Sequence, residues 1–137
     1  MAEVVVFGDV EAALIDFLNT ELSARGYVAP VTSLVPRTRP SSFVRVFRTG
    51  GGHNLDPNIP NEEAQVTVEC WAGTHSGSHD LAQITRGLIY SSRGVVNNVQ
   101  RIEELGGPAY LPDPLSDHPR YTFTLLVTWR GWAEPGS

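Results

Sequence analysis

From Tyr121 to Arg130 the chain reads Tyr-Thr-Phe-Thr-Leu-Leu-Val-Thr-Trp-Arg. Tyr121, Phe123, Leu125, Val127 and Trp129 take every second position, and Thr122, Thr124, Leu126, Thr128 and Arg130 fill the places between. A period of two sets these groups on opposite faces of a β-strand. Ala64–Trp71 repeats the pattern, with Val66, Val68 and Cys70 on one face and Thr67, Glu69 and Trp71 on the other. Phe43–Arg48 also alternates, and weaker strands are expected at Val31–Val35 and Val99–Leu105.

Two other stretches carry the helical period. Asp9 can cap a helix whose apolar positions are Val10, Ala13, Leu14, Phe17, Leu18 and Leu22, with Glu11, Asp16, Asn19, Thr20 and Ser23 opposite and Gly26 as the stop. A second helix is expected from about Ser78, its cap, to Tyr90, with Leu81, Ile84, Leu88 and Ile89 as its stripe and Gly94 closing it. Two amphipathic helices need one apolar surface, and a sheet with one apolar face supplies it. The expected fold is therefore α+β. It is a two-layer sandwich with both helices on one face of a mostly antiparallel sheet of four to five strands. Phe17, Leu18, Leu88, Phe123 and Leu125 are the expected core.

Composition narrows the function. With 137 residues the chain reads as one domain over 1–137, with residues 133–137 as a flexible tail. No apolar run approaches the ~20 residues of a membrane span, and Val4–Phe7 is too short for the apolar core of a signal peptide. The expected product is soluble and cytosolic when made. The single Cys70 excludes an internal disulfide framework and a multi-cysteine zinc site. A formal charge of −5 disfavours generic duplex-DNA binding, which rests on neutralising phosphates. All 10 basic residues are Arg.

No catalytic constellation emerges. His75 and His79 stand four apart beside Asp80, a spacing that would align two imidazoles for zinc on a helix. His75 is expected to precede the helix cap, however, and Gly77 interrupts, so both histidines are assigned to a solvated helix entrance. Cys70 alternates with buried-type valines and reads as an inert core thiol. His53 and His118 lie in turn-rich loops without a partner at fixed spacing. Gly50-Gly-Gly lacks the Lys and helix of a phosphate loop. Glu62-Glu63 and Glu103-Glu104 are adjacent pairs, which strands split between faces. No catalytic, cofactor-binding or metal-ligating residue is assigned.

The second sheet face is less easily dismissed. It carries threonines, Leu126, Trp71 and Arg130, with Arg45 and Arg48 on a neighbouring strand, where an ordinary solvated face would carry more Lys and Glu. Interfaces favour Arg and Trp over Lys, so Arg45, Arg48, Trp71, Leu126 and Arg130 are the candidate inter-subunit or partner contacts. Long Gly/Pro-rich loops at Gly50–Pro60 and Gly106–Pro119, with Arg37–Ser42, supply further contact surface.

Four segments carry a family likeness. They are VVVFGDVEAALIDFLNTEL near the start, VPRTRPSSFVRVFRTGG, VTVECWAGTHSGSHDLAQITRGLI, and GPAYLPDPLSDHPRYTFTLLVTWRG. In combination and order they cover most of the chain, and the sequence resembles the tail terminator (tail completion) proteins of long-tailed, non-contractile bacteriophages. The resemblance implies a structural virion protein that forms a homohexameric ring. Such a ring caps the tail tube, ends its polymerisation and presents a docking surface to the head-tail connector or neck proteins. It implies no cofactor, no enzyme activity and no membrane. The place is the head-proximal end of the tail in the virion, and the host cytoplasm during assembly. Genome DNA would pass through the lumen without specific binding, and Glu62 and Glu63, expected in a loop before the third strand, are the candidate lumen-facing residues. Another head-to-tail joining protein, such as a head-closure protein, is the alternative of similar size. A small metal-dependent hydrolase using His75, His79 and Asp80 is the alternative of a different class.

Overall fold

The computed structural model describes residues 4–53, 61–96 and 98–134. The elements run β1 (Val4–Val6), α1 (Val10–Ala24), β2 (Val31–Thr32), β3 (Phe43–His53), β4 (Asn61–Trp71), α2 (His75–Ser91), β5 (Val99–Tyr110), β6 (Arg120–Arg130) and β7 (Trp132–Glu134), with a 3₁₀ turn at Ser92–Gly94. Five strands form one sheet in the order β2-β3-β4-β6-β5, antiparallel except for the β2–β3 pair. The fold is α+β with a mostly antiparallel sheet.

The alternation in Tyr121–Arg130 translates into burial. Phe123, Leu125, Val127 and Trp129 are buried, and they share one cluster with Val44, Val46, Val66, Val68 and Cys70 from β3 and β4. The same cluster includes Val10, Leu14, Leu18 and Leu22 of α1, and Leu81, Ala82, Leu88 and Ile89 of α2. The intervening residues Arg45, Phe47, Thr67, Thr122, Thr124, Leu126 and Thr128 are half-buried.

α1 begins and ends as its residues dictate. The Asp9 carboxylate accepts a hydrogen bond from the Ala12 amide at 3.0 Å. At the other end Gly26 adopts φ +82°, while the Gly26 and Tyr27 amides bond to the Ser23 and Leu22 carbonyls. That pair of bonds is the Schellman stop, and its left-handed residue favours glycine. Phe17, expected in the core, is only half-buried at its flank.

α2 starts earlier than its sequence pattern suggests. Thr74, not Ser78, is the cap, and its hydroxyl accepts from the Gly77 amide at 3.0 Å. Gly77 does not interrupt the helix. A Cβ there would stand 2.9 Å from the Thr74 hydroxyl, so the absent side chain makes room for the cap. Ser78 is buried inside the first turns and donates to the His75 carbonyl at 2.8 Å. The inward face is Ser78, Leu81, Ala82, Thr85, Leu88 and Ile89, with Ile84 half-buried beside it.

The strands also depart from their expected ends. β2 stops at Thr32, whereas β5 continues through Gly106 and Pro108 to Tyr110. β5 is the edge strand, where a residue without an amide donor is tolerated, and its pairing with β6 is irregular at Glu104/Gly106 and Gly106/Ala109. Gly50–His53 belongs to β3, and residues 54–60 of the expected loop lie outside the described residues. Glu62 and Glu63 sit in β4, not in a loop before it. β1 and β7 pair as a separate two-stranded sheet, so Ala133 and Glu134 are strand, not tail; residues 135–137 of that expected tail lie outside the described residues.

Candidate assembly surface

Two loops meet at the end of the sheet where β3 and β6 begin. Residues 33–42 connect β2 to β3, and residues 111–119 connect β5 to β6. Arg39 in the first donates to the Asp113 carboxylate at 2.8 Å and to the Ser116 hydroxyl at 3.1 Å in the second. His118 bonds back to the Ser41 carbonyl at 3.2 Å and packs edge-on against Phe43. Asp113 is 6% exposed, and its carboxylate also accepts from the Leu115 amide. That amide and the Arg39 guanidinium hold its carboxyl down at about 2. Asp117 takes the left-handed φ of +57° that the turn needs. The loops are thus cross-linked while Leu34, Leu111 and Leu115 on them remain exposed, Leu115 at 93%.

Beneath the loops lies an ion triad. Glu69 of β4 receives Arg45 from β3 and Arg120 from β6, each at 3.2 Å. Arg45 also donates to the Ser33 carbonyl and lies 3.8 Å over the Phe47 ring. Arg120 donates to the Leu111 carbonyl and lies 5.5 Å from the centre of the Trp71 ring.

These contacts revise the expected partner residues. Trp71 is 1% exposed and stacked on Phe43 with ring centres 4.4 Å apart, so its indole is spent on its own chain. Arg45 and Arg48 do not reach outward as free cations: Arg45 is held by Glu69, and Arg48 pairs with Glu62 and the Gly50 carbonyl. The Arg48 amide, on the sheet margin, donates to Glu11 of α1. Glu62, a candidate lumen carboxylate, is therefore already neutralised by Arg48. Leu126 is half-buried, Glu63 is half-buried, and Arg130 is exposed. Sequence reasoning missed Arg39, Asp113 and Arg120, and it left His118 without the partners, Ser41 and Phe43, that the fold brings to it. Arg39 and Asp113 stand 74 residues apart, and no local period links them.

The histidines gather elsewhere. His75 and His79 both lie in the first turns of α2 and against one tyrosine, with ring centres 5.6 and 5.3 Å from that of Tyr121. His75 Nε2 is 2.8 Å from the Tyr121 hydroxyl, and its ring stacks on Tyr110 at 3.9 Å. Both histidines are exposed at the helix entrance, where they join Tyr110 and Tyr121 in an aromatic cluster that links α2 to β5 and β6. It borders an open depression of about 590 Å³ lined by Thr74, His75, Ser76, His79 and Tyr121. Among the described residues no three His, Cys, Asp or Glu side chains converge. Cys70 is fully buried, and burial pushes its thiol up to about 12 against the lowering influence of the neighbouring Thr85 side chain. Arg86 of α2 grips Glu104 of β5, which lowers that carboxyl and raises the guanidinium.

No protein-family model matches the chain, and no curated protein matches it.

Proposed function

We propose that this chain is a structural virion subunit that works by surface complementarity, in the manner of the tail terminators it resembles. In this reading copies of the chain close into a hexameric ring on the tail tube, stop its growth, and offer the opposite surface to neck proteins. We infer also that both helices lie together on one face of the sheet as a two-layer sandwich, leaving the threonine-rich face and the linked loops for partners.

The observation that carries the proposal is the loop pair. Exposed leucines on a mobile loop would lose much conformational freedom on binding; here Arg39, Asp113 and His118 fix the loops beforehand. An apolar side chain as open as Leu115 on a pre-ordered support suits a protein contact. A ring demands a heterologous contact, one surface of each subunit against a different surface of the next. Leu126 and Arg130 are the remaining sequence-derived contact candidates. Glu63 remains the lumen candidate, and the net charge of −5 per chain suits a passage that does not retain DNA.

Mass photometry of the purified chain, alone and mixed with tail tubes, tests this. Six copies of 14.9 kDa give a particle of about 89 kDa. Leu115→Asp should abolish that particle, or its capture on tubes, while circular dichroism stays native. A chain that remains monomeric and ignores tubes refutes the proposal, and unchanged assembly by Leu115→Asp removes the loops from the contact.

A further inference from the structure

The corrected start of α2 alters what its histidines can do. With Thr74 as the cap, His75 and His79 are one helical turn apart inside the same helix and on one side of it, since both rings contact Tyr121. Two imidazoles at this spacing form the minimal helical clamp for a borderline metal ion. His79 Nδ1 lies 3.3 Å from the Asp80 carboxylate, which leaves Nε2 as its free ligand nitrogen. A carboxylate on the rear nitrogen also orients the ring, as in many metal sites. His75 Nε2 rests on the Tyr121 hydroxyl, a bond that it can exchange for a cation while the phenol oxygen stays close as a weaker donor. The adjoining depression is open, so an ion and its waters can enter.

We propose that His75 and His79 bind a divalent transition-metal ion, Cu(II) most tightly, at the junction of α2 and β6. The site is bidentate in protein nitrogen, because no third His, Cys, Asp or Glu joins the pair among the described residues. Water completes the coordination, and the ion exchanges freely, unlike a closed structural zinc. The positive end of α2 opposes a cation, and the Asp80 carboxylate and Tyr121 oxygen offset that field. Such a balance favours the ion with the strongest imidazole bonds, which is Cu(II) in the divalent series. The proposal does not rest on the assembly reading, since it needs only the folded chain.

The test is titration of the untagged full chain with CuSO₄, followed by calorimetry and by electron paramagnetic resonance. One Cu(II) per chain is expected, with nitrogen hyperfine structure from two imidazoles. His79→Ala, at an exposed position, should weaken binding at least tenfold and remove one nitrogen from the spectrum, and His75→Gln should do the same. His118→Gln should leave both readouts unchanged, and Zn(II) should bind more weakly than Cu(II). Absence of saturable binding, or binding that survives His79→Ala with its spectrum intact, overturns the proposal. Native circular dichroism of each variant keeps a folding defect from passing for a lost site.

Discussion

Asp113→Asn removes the charge that locks the two loops and changes little else in shape. In the folded chain the Leu115 amide and then Arg39 hold this carboxyl at about 2, against an ordinary 3.8. That gap, at about 1.4 kcal/mol per pH unit, corresponds to roughly 2 kcal/mol of folding stability at neutral pH. The Arg39 side chain is 31% exposed, so solvent screening reduces the figure to about 1–2 kcal/mol. Because the folded carboxyl is the stronger acid, this stability is complete above about pH 5 and fades as the pH falls toward 2. Urea unfolding of both proteins at pH 7, 5, 4, 3 and 2 reads the effect. The variant should be weaker by about 1–2 kcal/mol at pH 7 and converge on the parent near pH 2. A difference that is absent at pH 7, or constant across the series, refutes the assigned role of Asp113.

Further outcomes follow from the core and the β3–β4 pair. Phe123→Ala should cost about 3–5 kcal/mol by opening a cavity between sheet and helices, and a loss under about 1 kcal/mol in denaturation would remove β6 from the core. Gly51→Ala should cost at least about 2 kcal/mol in the same assay. Gly51 has φ +140°, and a Cβ there would lie 2.0 Å from the Glu63 carbonyl oxygen, so both backbone and space object. Cys70 should resist thiol reagents at pH 8 until urea exposes it; fast labelling of the native chain would contradict a buried thiol held near 12.

How much of this was legible in the sequence depends on the reach of each signal. The strand at Tyr121–Arg130 and helix α1 were readable because burial, cap and stop all repeat within a few residues. α2 was misplaced at its start because Thr74 and Ser78 are both capping residues and Gly77 reads as a breaker. The deciding fact, a hydroxyl that needs the space a Cβ would take, is three-dimensional. Gly106-Gly-Pro reads as loop, yet at a sheet edge those residues extend β5. β1 and β7 pair across nearly the whole chain, beyond any local pattern. The same holds for the surface proposed to bind partners: Arg and Trp were sound choices by composition, but Glu69, Glu62 and Phe43 occupy them from within. Their internal partners were set by strand register, which composition does not encode.

The most direct measurement is tube growth. Purified tail tube protein is allowed to polymerise, the chain is added midway, and tube lengths are followed by electron microscopy. A terminator should halt elongation at once, leaving a ring at one end of each tube, and Leu115→Asp should let growth continue. Tubes that lengthen at an unchanged rate with no added density at either end would contradict the proposed role.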